Sequence, residues 1–95
     1  MAFHAYMLRC SDGHYYVGST DDLHQRVAQH QHGRDRLCYT FKRRPLLLVW
    51  SESFTTRIEA KEAERRLKGW GKRKKEALIA GDWNAIQLLA RNWQL

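Results

Sequence analysis

The hydrophobic pattern opens on strands. Residues 3–10, FHAYMLRC, alternate and are rich in aromatic and apolar side chains, the period-two signature of a strand. Ser11-Asp12-Gly13 is a turn signal, and HYYVGS over 14–19 reads as the return strand of a β-hairpin. The length of that loop decides chemistry. A two-residue Asp12-Gly13 loop sets Tyr6 and Tyr16 on opposite faces of the ribbon. A three-residue loop, with Gly13 in the left-handed region, sets them on one face and diagonal to each other. The three-residue loop is the expectation.

The period then changes. Residues 21–32, DDLHQRVAQHQH, read as a helix capped by Thr20 or Asp21. Residues 33–45 form a basic loop opened by Gly33 and closed by Pro45, and loops of that length inside compact domains are commonly functional. LLLVWSE over 46–52 is a continuous apolar run, which predicts a third strand buried on both faces. Thr56-x-x-Glu59 forms a capping box for a second helix running to about Lys68, broken by Gly69 and Gly71. KRKKEALIA over 72–80 is a third helix stopped by Gly81. Asp82 then caps a last one over 83–92, with Trp83, Ile86, Ala90 and Trp93 at helical spacing. The order ββαβααα predicts a small α+β fold, a three-stranded antiparallel sheet flanked by helices, in one domain over 1–95 with no repeat or linker.

Composition narrows the class. The chain has 95 residues, enough for one domain. With 43% hydrophobic residues, one Pro and no low-complexity tract, it reads as folded rather than disordered. Seventeen Lys and Arg against ten Asp and Glu leave a net charge of +7, which favours a polyanionic partner, nucleic acid or an acidic membrane surface. Cys10 and Cys38 have no metal-finger spacing and read as plain thiols of a reducing cytoplasm. No apolar run approaches the ~20 residues of a membrane span, so a cytoplasmic protein without membrane attachment is expected.

Two helix faces carry polar groups where apolar ones belong. Leu23, Arg26, Val27 and His30 share one face of the first helix; Ala60, Ala63, Glu64 and Leu67 share one face of the second. A charge on an inward stripe is costly unless paired or used. Two readings stay open from the pattern: an Arg26–Glu64 ion pair bridging the helices, or a site. Taken singly, His30 is more often a core or cap histidine, and Tyr6 and Tyr16 are more often packing aromatics.

In combination these residues resemble the GIY-YIG endonuclease domain, and most of all its small stand-alone bacterial members, which are similar to the N-terminal nuclease module of excinuclease ABC. Tyr16-Val17-Gly18 matches the second signature motif, and Tyr6, ending His4-Ala5-Tyr6, matches the tyrosine of the first. Arg26 and His30 match the first helix, and Tyr39-Thr40-x-x-Arg43-Arg44-Pro45 with Leu48-Val49-Trp50 match the loop and third strand. Ala60-x-x-x-Glu64-x-x-Leu67-Lys68 matches the helix of the metal-binding glutamate, and Lys74-Lys75-x-x-Leu78-Ile79 with Trp83 matches the C-terminal part. His4-Ala5 stands where the name motif has Gly-Ile. The asparagine that larger members carry near the site has no placed counterpart, Asn84 and Asn92 both lying in the tail.

The resemblance implies a metal-dependent endonuclease hydrolysing DNA phosphodiesters, in repair or recombination, with Glu64 holding Mg²⁺ or Mn²⁺. It implies Arg26 on the phosphate oxygens, Tyr6 as general base and Tyr16 orienting water or phosphate, with His30 supporting the site as a proton relay. Tyr6 would need its pKa lowered from ~10, a shift that a metal and Arg26 favour. Nucleic acid would be gripped by the basic segments. In the loop these are Arg34, Arg36, Lys42, Arg43 and Arg44 with Tyr39, the Arg43-Arg44 pair leading. On the helices they are Arg65, Arg66, Lys68, Lys72, Arg73, Lys74 and Lys75, of which 72–75 read equally as a solvated helix end. A non-catalytic nucleic-acid-binding module on the same scaffold is the alternative. A protein-interaction domain is a third, and needs Trp70, Trp83 or Trp93 exposed as a patch.

Overall fold

The structure, a computed structural model, describes residues 2–33 and 36–84. Two strands, β1 (Phe3–Arg9) and β2 (Tyr15–Thr20), form the expected hairpin. The amide of Gly13 bonds the carbonyl of Cys10 at 3.0 Å, and the amide of Cys10 bonds the carbonyl of His14 at 2.8 Å. Residues 11–13 are therefore a three-residue loop, and Gly13 takes the left-handed conformation, φ 87°, that the loop requires. Tyr6 pairs with Gly18 and Leu8 with Tyr16, which places the two tyrosines diagonally on one face.

Helix α1 (Leu23–His32) follows. Its cap is Asp22, one residue beyond the expected Thr20 or Asp21, because the Asp22 carboxylate accepts from the Gln25 amide at 3.1 Å. Gly33 ends it at φ 66°. The basic loop then makes one 3-10 turn over Phe41–Arg43 before β3 (Leu47–Phe54). Helix α2 (Arg57–Lys68) has the predicted Thr56–Glu59 capping box, and α3 (Lys72–Ala80) ends at Gly81. The last helix expected over 83–92 lies, past its first two residues, outside the described residues, as do Arg34, Asn92 and Trp93.

The sheet is antiparallel with the order β2-β1-β3. This corrects the expectation for the third strand. The apolar run 46–52 is not buried on both faces: Leu47 and Leu48 are 55% and 38% exposed, and β3 is an edge. The strand covered on both sides is β1, where Ala5, Tyr6, Met7 and Leu8 are all fully buried. A central strand needs apolar side chains at consecutive positions because each face has its own cover. Met7 and Val17 pack against Leu67 of α2 and Ala77 and Leu78 of α3. Tyr6, Leu8 and Cys10 face the other way, with Leu46, Tyr16, Leu23 and Val27. Trp70 packs against the first of these clusters rather than forming a patch, and Lys74 lies over its ring.

Among the described residues, no helix is long and apolar enough to cross a membrane.

Candidate active site

On the α1 side of the sheet, the interior is polar. The Tyr6 ring passes over Gly18, its cross-strand partner. A Cβ at position 18 would stand 2.5 Å from the Tyr6 hydroxyl and 2.6 Å from Cζ. Only glycine leaves room for the phenol, so the glycine of the Tyr16-Val17-Gly18 motif is required by close approach. The Tyr6 oxygen lies 3.0 Å from His30 Nε2, and the Arg26 guanidinium beside it is its second hydrogen-bonding neighbour.

His30 is buried although it sits on a surface helix. Its Nδ1 lies 2.9 Å from Thr40 Oγ1, and Thr40 is itself only 1% exposed. Tyr16 packs its ring 4.9 Å from the His30 ring and 6.3 Å from Tyr6. Burial and the adjacent Arg26 hold the His30 pKa below 6.5, so the ring is neutral.

Burial also dominates the phenols. It pushes Tyr6 up to about 12, with Arg26 opposing and losing, and it raises Tyr16 as well. The lowered Tyr6 pKa expected of a general base is therefore not what this site has. A phenolate inside the fold forfeits more solvation than one guanidinium returns. Tyr6 is also fully enclosed, whereas Tyr16 is half-buried and open to the surface.

Glu64 belongs to the opposite side of the sheet and reaches the same edge from α2. Ser19 Oγ donates to its Oε1 at 2.5 Å, and Lys68 Nζ sits 2.6 Å from its Oε2. Burial disfavours its charge, but the hydrogen bonds from Lys68 and Ser19 and the nearby Lys61 outweigh it, and the carboxyl is held below its usual range. The Arg26–Glu64 pair is not formed: Glu64 pairs with Lys68, and Arg26 with Tyr6 and Gln29. Glu64 nonetheless acts electrostatically on both Tyr6 and Tyr16, so the carboxylate and the phenols share one neighbourhood around β2. Its oxygens, with the Ser19 hydroxyl, are the donors that could hold a hard cation. Among the described residues, no three His, Cys, Asp or Glu side chains gather as a ready-made metal site.

The basic residues fall into separate groups. Arg43 lies 3.9 Å over the Tyr39 ring, bonds the Tyr39 carbonyl at 2.9 Å and pairs with Asp12 of the hairpin loop at 3.0 Å. Tyr39 in turn stacks on Tyr16, with centroids 6.3 Å apart. Arg44 stacks on Phe41 and bonds the carbonyls of Phe41 and Gln31. Both guanidinium groups thus brace the loop against the hairpin and α1. Lys68 lies on Glu64. Lys42 is exposed on the loop. Lys72 and Arg73 are exposed at the start of α3, away from the phenols, Lys72 lining a depression with Arg9, Tyr15 and Glu76. The group that does converge is Tyr6, Tyr16, Arg26 and His30, with Glu64 across the edge. It opens onto a cleft of about 570 Å³ lined by Arg26, Gln29, His30, Arg36, Cys38 and Thr40. Sequence reasoning missed Thr40 and Gly18 as members of this site; both lie within matched motifs, but no spacing rule marks a contact across the fold.

These features agree with comparisons to known proteins. Residues 2–77 match the model of the GIY-YIG catalytic domain. A UPF0213 protein of Halobacterium salinarum is 45% identical over 76 residues, covering 80% of this chain and 97% of that protein. The UPF0213 protein YazA of Bacillus subtilis is 43% identical over 74 residues, covering 78% of this chain and 74% of its own. Among solved structures, the solution structure of UPF0213 protein BH0048 from Bacillus halodurans superposes with a TM-score of 0.54 at 36% identity over 84% of each chain. Protein EF2693 from E. faecalis gives 0.59 at 33% identity over 85% of each chain. The paired tyrosines, the Arg26–His30 helix face and the lone glutamate of α2 thus sit in a chain that belongs to the GIY-YIG catalytic domain family.

Proposed function

We propose that this protein is an endonuclease that hydrolyses DNA phosphodiesters with Mg²⁺ or Mn²⁺ held at Glu64. The observation that carries the reading is the convergence of Arg26, Tyr6, Tyr16 and His30 on one face of the hairpin, with the Glu64 charge acting on both phenols across the edge of β2. Such a set suits an anionic ester, whose attack needs offset charge and an oriented water.

Glu64 fits the metal's chemistry. It is an ionised oxygen donor beside the Ser19 hydroxyl, and Mg²⁺ takes oxygen ligands while keeping several waters. Lys68 must yield Oε2 for the ion to bind, and water and the substrate phosphate must complete the ligand set. Bound there, the ion supplies Lewis-acid stabilisation of charge on the phosphate oxygens.

The side chains divide the remaining work. Arg26, exposed at the mouth of the cleft, binds the non-bridging oxygens. Tyr16 is the phenol placed to meet the attacking water. Tyr6 lies beneath, holds Arg26 through its oxygen and gives its own hydrogen bond to His30. Lys68, released from Glu64, adds a positive charge near the phosphate. The net charge of +7 supplies affinity for nucleic acid without sequence readout.

The test is nicking of supercoiled plasmid with and without Mg²⁺ or Mn²⁺. We expect metal-dependent nicks that fall by about 100-fold or more in Glu64→Ala and Arg26→Ala, the scale of losing one transition-state contact. Salt-sensitive DNA binding without cleavage, or variants that cut as well as wild type, would refute hydrolysis and leave a binding module.

A further inference from the structure

We propose that Thr40 is a positioning residue: its buried hydroxyl ends a one-way hydrogen-bond chain from Arg26 through Tyr6 and His30, and holds His30 with its hydrogen on Nδ1 and its Nε2 lone pair turned to the Tyr6 phenol. Its catalytic consequence rests on the hydrolase reading above; its structural content does not.

Donor counting sets the direction of the chain. A guanidinium has donors only, so the Tyr6 oxygen accepts from Arg26. The Tyr6 hydroxyl hydrogen must still find an acceptor, because the residue is fully enclosed and a buried unsatisfied donor is costly. His30 Nε2, 3.0 Å away, is that acceptor, so it carries no hydrogen. If Nε2 were protonated, two donors would converge on the phenol oxygen and the phenol's own hydrogen would have no partner. A neutral imidazole bears one hydrogen, which therefore sits on Nδ1 and is donated to Thr40 Oγ1 at 2.9 Å. The Thr40 hydroxyl, having accepted, turns its own hydrogen to Cys38 Sγ at 3.4 Å.

Thr40 is rigidly placed for this. It is 1% exposed, and its carbonyl accepts from the Arg43 amide at 3.0 Å in the turn that Arg43 and Arg44 brace. Burial keeps His30 neutral, which is the state the chain requires. Without the hydroxyl, the Nδ1 hydrogen faces a wall with no oxygen. The ring then gains by moving its hydrogen to Nε2, and Tyr6 loses the acceptor that fixes its oxygen under Arg26. The loop expected from sequence to grip substrate thus also reaches under the site to set the histidine.

The experiment is long-range ¹H–¹⁵N correlation of the imidazole nitrogens in the full chain at neutral pH, with plasmid nicking alongside. Wild type should show a neutral His30 protonated on Nδ1. Thr40→Val, nearly the same shape, should lose that single tautomer, while Thr40→Ser should keep it. In cleavage, Thr40→Val should lower kcat by about 10- to 100-fold with KM unchanged, the scale of a lost outer-sphere partner, and Thr40→Ser should restore it. A wild-type His30 protonated on Nε2 overturns the proposal without any variant. So does a Thr40→Val protein that keeps the Nδ1 tautomer and the wild-type rate. If wild type cuts no DNA at all, the hydrolase reading fails, and the tautomer spectra still decide for or against Thr40.

Discussion

Tyr6 and Met7 are neighbours in the chain, yet they enter two different interiors. Met7 lies with Val17, Leu67, Ala77 and Leu78 in a cluster that is apolar throughout. Tyr6 lies with Leu8, Cys10 and Leu46 but carries a hydroxyl that needs His30 and Arg26, and His30 in turn needs Thr40. The α2–α3 side gains stability from area removed from water. The α1 side gains less, because burial of its polar groups is favourable only while every partner is present. The protein keeps one side of its sheet for holding the fold and the other for holding a geometry. Glu64 sits where the two meet, partly buried at the edge of β2.

That contrast can be broken from either side. The largest stability effect is expected from Leu67→Ala, which empties part of the apolar cluster. It should cost about 2–5 kcal/mol in denaturant unfolding, while the protein that remains folded cuts plasmid as before. Gly18→Ala acts on the other side. Its new Cβ would meet the Tyr6 hydroxyl at 2.5 Å, and the enclosed phenol must shift. We expect a cost of about 1–3 kcal/mol, typical of overpacking, together with a loss of cleavage that exceeds what the lower stability explains. Equal losses in both variants would show that the two interiors are one.

The smallest effect sharpens the comparison through pH. His30 is held neutral below its ordinary 6.5, by burial first and Arg26 second. On acidification the unfolded chain takes up a proton at this residue that the native fold resists. Its contribution to stability is therefore complete above 6.5 and is lost as pH falls through the depressed native value. Thermal melts between about pH 8 and pH 5 should show Tm declining at the acid end, with a shallower decline in His30→Gln. An unchanged slope in that variant would mean that His30 is not the group resisting protonation.

Much of the site was legible because it follows from local periodicity. Gly13 in a three-residue loop phases the hairpin, and that phase alone brings Tyr6 and Tyr16 to one face. The i, i+4 spacing of Arg26 and His30 turns both toward it, and Glu64 falls on the inward stripe of α2 beside Ala60 and Leu67. What was not legible depends on partners far along the chain. The apolar run of 46–52 is equally consistent with a central or an edge strand, since a run records hydrophobicity and not the number of neighbours. Arg43 and Arg44 read as free cations until Tyr39, Asp12, Phe41 and Gln31 are seen to occupy them.

The chain by itself determined the element order, the shared face of the two phenols and the polar stripes on α1 and α2, because each is set by backbone geometry over a few residues. Only the tertiary structure decided which strand lies at the centre, that Glu64 pairs with Lys68 rather than Arg26, that burial raises the phenols instead of activating them, and that Thr40 closes the network under His30. Those outcomes depend on desolvation and on distances between segments tens of residues apart, and such quantities exist only once the chain has packed.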